Sequence, residues 1–266
     1  MASERPALRD VTFRLGIEFD GSGFHGWQTQ PRIRTVQGEL EEALRHTTGI
    51  RVRVTGAGRT DAGCHAAGQV ASIALTTRLT ADRLRGALNA YLPPDVRVVE
   101  AAEAPAAFHA RFGATRRAYR YLIVPRATAI RRQLAWARLV RADLPALNEA
   151  SAPLLGEHDF TSFSKQDPEQ DDPRCTVRRV RWSRGSGVLR FDIEANRFLY
   201  SMVRRIVSTV VRAAEEGAGS RAVRAALEAR DRRAAAPPAP AHGLYLMRVR
   251  YPDLGWLPKE RLNVVS

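Results

Sequence analysis

Gly56-Ala-Gly-Arg-Thr-Asp-Ala-Gly-Cys-His-Ala66 decides how the rest of this 266-residue chain is read. It lies between a short strand-like run (Val52, Val54) and an apolar run from Gln69 to Leu75. Glycines at 56, 58 and 63 allow backbone conformations closed to other residues and let the chain approach a ligand closely. Between them stand one cation, Arg59, and one carboxylate, Asp61. Two residues apart in an extended turn, both side chains point to one side. The arginine would then hold the aspartate ionised, and a fixed, ionised carboxylate in a cleft serves as nucleophile or general base. The same residues also fit plain turn chemistry, with the aspartate bonded to a nearby backbone N–H or capping a helix. A phosphate-binding loop is excluded, because the Lys-Ser/Thr that closes one is absent.

Charge narrows the partner. The chain carries 42 basic against 28 acidic residues, for a net +14, and its pI is near 11.0. All the basic residues except Lys165 and Lys259 are arginine. Arginine forks onto phosphates and stacks on bases, which favours an RNA partner over an acidic protein or a membrane surface. A GC-rich genome would explain arginine in place of lysine, but not the excess of cations. Hydrophobic content of 44% and charged content of 26% are those of a soluble globular protein. Cys64 and Cys175 are too far apart in sequence to form a disulfide framework or a zinc site, and among the histidines only the Asp61/His65 spacing approaches a metal pair. The N-terminal MASERPALRD has no apolar leader core, and no run reaches membrane-spanning length. The expectation is a cytoplasmic, reduced protein with no membrane partner.

Val11, Phe13, Leu15, Ile17 and Phe19 alternate with polar residues or Gly16, which predicts a half-buried strand. The glycine-rich loop Asp20 to Pro31 follows. Its Phe24 and Trp27 suit either stacking on RNA or seating the loop on the core. Thr35 caps a predicted helix with Val36, Leu40 and Leu44 on one face. After the Asp61 turn come a strand over residues 70–75, a helix capped by Thr80 and stopped by Pro93-Pro94, and a strand over 96–99. That order is a split βαβ unit.

In the second half, Arg116 to Val124 reads as a strand with Tyr119, Tyr121 and Ile123 on one face. A helix is predicted over 144–155 and a polar loop over 165–174. Strands over 176–182 and 188–194 follow, with a long helix opening at Asn196 and ending at Gly217. A second helix is predicted over 221–230, then an Ala/Pro-rich arm over 231–242 and a strand over 244–251.

Several of these strings together resemble the tRNA pseudouridine synthase A family. Gly58-Arg59-Thr60-Asp61-Ala62-Gly63 with His65 and Ala66 is similar to its active-site motif, with Cys64 where the family usually has Val. Asp20-Gly-Ser-x-Phe-x-Gly-Trp-Gln and Arg34-Thr-Val-Gln-Gly38 resemble a second stretch, with Phe19 and Ser22 replacing the more usual Tyr and Thr. Arg117-x-Tyr119-x-Tyr121, Phe198-Leu-x-x-Met-Val-Arg204 and Gly243-Leu-Tyr-Leu246 resemble three more.

The resemblance spans residues 19–252 and implies an α+β pseudouridine synthase fold. Two α/β subdomains, 1–107 and 108–266, would have mainly antiparallel sheets meeting at a basic central cleft. It implies isomerisation of uridine to pseudouridine in the anticodon stem-loop of tRNA, at positions 38–40, by a homodimer without a cofactor. Asp61 would be catalytic, with Tyr119 against the target base, Leu244 packed on its uracil, Arg204 beside Asp61, and Arg59 occupying the place the base vacates. Two rivals stand against it. A non-catalytic RNA-binding protein leaves the Arg–Asp pair in a glycine turn unexplained, and a hydrolase would ordinarily want a second carboxylate.

Overall fold

The computed structural model describes residues 7–166 and 172–258. Within them, 7–115 with 248–258 pack as one unit, and the remainder of 116–247 as another. The sequence places a division at residue 107 and runs the second subdomain to the chain end; in the packing, the described segment from Arg248 to Pro258 groups with the first unit.

The first unit is built on β1 (Arg9–Phe19). Phe13, Leu15 and Ile17 on its inner face are completely buried, as the alternation predicts. Each such side chain contributes roughly 1.5–3 kcal/mol by leaving water. Helix α1 (Val36–Thr48) is capped by the Thr35 hydroxyl, which accepts from the Gly38 N–H. It buries Val36, Leu40 and Leu44. Strand β2 is only Thr55–Gly56, β3 runs His65–Thr77, α2 Ala81–Tyr91 and β4 Val96–Ala104. β1 lies between β3 and β4, antiparallel to both, and β2 pairs antiparallel with β3.

In the second unit β5 (Arg116–Val124) pairs antiparallel with β9 (Val188–Ala195), β9 with β8 (Arg174–Gly185), and β8 with β7 (Gly156–Asp159). The two-residue β6 (Trp136–Ala137) adds a parallel edge to β5. Helices α3 (Leu144–Ser151), α4 (Met202–Glu215) and α5 (Gly219–Ala229) pack together beside this sheet. The last long strand, β10 (Leu244–Tyr251), passes from the second unit back into the first, where it pairs antiparallel with β11 (Gly255–Leu257). The architecture is mixed α/β with mostly antiparallel strands. Among the described residues no helix is long and apolar enough to cross a membrane.

Three local expectations are corrected. Val52 and Val54 are not in a strand. Side chains of α1 take the place of a ladder there: Gln37 Nε2 donates to the Val54 carbonyl at 3.1 Å, and Glu41 Oε1 accepts from the Val54 N–H at 3.0 Å. Asn196 does not open a helix. Its Oδ1 accepts from the N–H groups of Thr176 and Arg197, both at 2.8 Å, and α4 starts only at Met202. The 165–174 stretch includes residues 167–171, outside those described, and β8 begins already at Arg174.

Candidate active site

The Asp61 turn is fastened along its length. At its entrance the Ala57 N–H donates to the Val70 carbonyl at 2.7 Å. Gln69 Nε2 donates to the Gly58 carbonyl at 2.7 Å. At its centre the Trp27 N–H donates to the Thr60 carbonyl at 3.1 Å. Beyond it, the Cys64 N–H closes onto the Asp61 carbonyl and the Gly63 N–H donates to the Phe24 carbonyl, each at 3.1 Å. Gly63 has φ +76°, a left-handed backbone at the third residue of this turn that glycine takes without strain. The Asp61 side chain is half-buried, and Arg59 is exposed with its Nε donating to Gln28 Oε1 at 3.1 Å.

The glycine-rich loop of residues 20–31 grips this turn from the other side. A Cβ on Gly21 would stand 1.9 Å from the Cys64 carbonyl oxygen, and one on Gly26 2.6 Å from that of Thr60. The two backbones therefore meet where side chains would otherwise intervene. Phe24 and Trp27 are only 3% and 2% exposed. Of their two sequence readings, the hydrophobic plug is the one observed. Trp27 seats against Gly56, where a Cβ would fall 2.5 Å from its indole. Arg34 lies over the Phe24 ring at 4.1 Å and forks onto Asp95 at 2.8 and 2.9 Å. These hydrogen bonds to Asp95 raise the guanidinium pKa above its ordinary value.

His65 is a structural participant that sequence reading weighed only as a metal ligand. It is buried, and its Nδ1 accepts the Gly21 N–H at 3.0 Å. Because a backbone N–H is always a donor, this fixes the ring proton on Nε2. Asp20 Oδ1 lies 3.1 Å from the same nitrogen and itself accepts from the Ser22 N–H and hydroxyl, at 2.9 and 2.6 Å. Burial pushes the Asp20 carboxyl up, but the hydrogen bonds from the Ser22 hydroxyl and N–H hold it below the usual carboxylate value. The signal was hidden in sequence because Gly21 and His65 are 44 positions apart.

In the second unit, Tyr119 lies on β5, 7% exposed, with its ring edge-on to Phe198 at 5.0 Å. Tyr121, two residues on, is fully buried, and its hydroxyl donates to the Pro240 carbonyl at 2.7 Å. Gly243 packs on that ring so closely that a Cβ would stand 2.5 Å away. This contact places Leu244, 7% exposed, at the start of β10. Arg204 Nε donates to the Ala239 carbonyl at 2.7 Å, and the Ala239 N–H returns a bond to the Arg204 carbonyl at 3.1 Å. The Ala/Pro-rich arm thus ties together the first turn of α4, the tyrosine face of β5 and Leu244.

Comparison with known proteins bears on this arrangement directly. A family model described as tRNA pseudouridine synthase matches residues 16–113 and 150–252. The chain is 42% identical to a tRNA pseudouridine synthase A of Chlorobaculum tepidum over 245 residues, covering 90% of this chain and 98% of the relative. It is also 42% identical to one of Agrobacterium fabrum over 247 residues, covering 91% and 93%. With one of Halalkalibacterium halodurans it shares 43% over 236 residues, covering 86% and 89%. The stretches matched by the family model contain the fastened Asp61 turn, the glycine loop that grips it and the Arg204 and Leu244 segments, and the chain belongs to the tRNA pseudouridine synthase family.

Proposed function

We propose that this isomerase converts uridine to pseudouridine at positions 38–40 of the anticodon stem-loop of tRNA, with Asp61 as its catalytic carboxylate. The reaction breaks the N1–C1′ bond, turns the uracil and joins C5 to C1′, with the proton lost from C5 matched by one gained at N1. Atoms balance within the substrate and nothing is oxidised. Asp61 acts as nucleophile on the sugar or base, or as base toward the C2′ proton; both routes require it ionised and aimed. The observation that carries the assignment is the fastening of the turn: a half-buried carboxylate stands on a backbone held by five hydrogen bonds within residues 57–64. A catalytic group held in place before substrate arrives loses little freedom on reaction.

The target nucleotide must leave its stack at a cost of a few kcal/mol, and the protein must offer it a replacement surface. We assign that role to the Tyr119 ring and Leu244, with Arg59 entering the RNA where the base was. We set Arg204 beside Asp61 as its cationic partner. The first unit then carries the catalytic loop and the second supplies RNA-binding residues. A homodimer working in the cytoplasm, with a basic RNA-binding cleft, completes the reading; family resemblance supports it. The test uses unmodified tRNA carrying uridine at positions 38–40, in parallel with transcripts in which those uridines are replaced by cytidine. Pseudouridine should form in the first and not in the second. Equal formation in both would place the activity elsewhere on the tRNA. Replacing Arg204 by Gln should lower turnover at saturating tRNA, and unchanged turnover would remove it from this role.

A further inference from the structure

The segment Ala104-Pro-Ala-Ala-Phe-His-Ala-Arg-Phe-Gly-Ala-Thr115 presents a side chain that the core does not use. Phe112 is 79% exposed, whereas Phe13, Phe160, Phe163 and Phe191 are fully buried. Its turn is braced from within and from below. His109 Nδ1 accepts the N–H groups of Arg111 and Phe112 at 3.2 and 3.1 Å, and the Gly113 N–H closes onto the His109 carbonyl at 2.9 Å. The Ala110 N–H donates to Ser72 Oγ at 3.2 Å, and its carbonyl accepts from the Tyr251 hydroxyl at 2.7 Å. The Thr115 N–H donates to the Arg250 carbonyl at 2.8 Å. The His109 imidazole lies 4.5 Å from the phenyl centroid, and the Arg111 guanidinium 5.6 Å from it. An aromatic ring is thus held toward water on a fastened turn, with a flat imidazole and a cation beside it.

We propose that Phe112 is a stacking platform for an unpaired base of the bound tRNA, with Arg111 meeting an adjacent phosphate. The proposal rests on the tRNA reading above and adds a contact to it. Aromatic rings stack on any base, and an arginine beside the ring supplies the charge that a phosphate seeks. Local charge decides between RNA and a second copy of the chain as occupant. From Ala104 to Thr115 the turn carries Arg111 and no carboxylate, in a chain of net +14, so a polyanion is favoured there over an equally basic copy.

Four proteins test this: the parent chain, Phe112→Ala, Phe112→Leu and Phe112→Tyr. Each is titrated with unmodified tRNA at one salt concentration and assayed for pseudouridine at saturating tRNA, with its mass measured by sedimentation. Ala and Leu should weaken binding by roughly 5- to 100-fold, the range for one stacked base. Tyr should bind within about twofold of the parent, because it keeps the ring. Turnover at saturation and thermal melting should match the parent throughout. Leu binding as well as the parent overturns stacking. Loss of association between copies in the Ala and Leu variants assigns the ring to a subunit contact and overturns the proposal. A parent that binds tRNA without making pseudouridine fails the enzymatic reading while leaving the stacking result intact. A parent that does not bind tRNA overturns both.

Discussion

The Trp27 N–H donates to the carbonyl of Thr60, the residue immediately before Asp61, across 3.1 Å. One hydrogen bond therefore joins the glycine loop after β1 to the centre of the Asp61 turn. It can form only because Gly26, with φ +91°, brings its backbone against Thr60 with no Cβ between them.

Gly26→Ala should damage stability and catalysis together. The left-handed backbone costs a non-glycine residue roughly 1–3 kcal/mol. The Cβ would also sit 2.6 Å from the Thr60 oxygen, so the turn must shift. A lower urea midpoint with kcat reduced at saturating tRNA is the expected result. A variant with the parent midpoint and kcat would show that this close approach does not hold the turn.

Much of the scaffold was legible because its signals are local. The alternation of Val11 to Phe19 and the caps at Thr35 and Thr80 depend on neighbours in sequence, and all three are realised. What was misread depends on distant partners. Val54 gives its polar backbone groups to Gln37 and Glu41 of α1 instead of to a strand. Asn196 spends its side-chain oxygen on Thr176, 20 positions away, ending a strand where composition suggested a helix start. The start of β3 is buried without interruption from His65 to Ile73, so it shows no alternation and was read as beginning only near Val70. The Asp61 turn itself was visible as a string of residue types. Its fastening to residues 21–27 was not, since backbone hydrogen bonds leave no trace in side-chain identity.

Asp20 gives a pH dependence whose sign is fixed. Its carboxyl titrates below the usual value in the folded protein, so it contributes stability at neutral pH that is lost as pH falls through the folded value. Asp20→Asn should be less stable than the parent at pH 7, by less than about 1 kcal/mol because the group is half-exposed. The two proteins should converge in acid below about pH 3, under the ordinary aspartate range. Urea unfolding at a series of pH values measures this. A gap that widens toward acid would reverse the assignment.

Tyr119 separates ring from hydroxyl. Tyr119→Phe keeps the ring face proposed to meet the base and the edge-on packing with Phe198, whereas Tyr119→Leu loses both. Both variants should bind tRNA, with Leu losing at least about tenfold more turnover than Phe, in line with the worth of one base–aromatic stack. Equal and negligible effects would return Tyr119 to a packing role in the sheet.

The most direct measurement is pseudouridine formation in unmodified tRNA by Asp61→Asn, compared with the parent at equal tRNA occupancy. The substitution keeps the shape of the side chain and leaves the backbone bonds of the turn in place, while removing the ionised oxygen on which either mechanism depends. The account predicts tRNA binding within a few-fold of the parent and no detectable product. Turnover near the parental rate would contradict it and leave Asp61 as a turn residue.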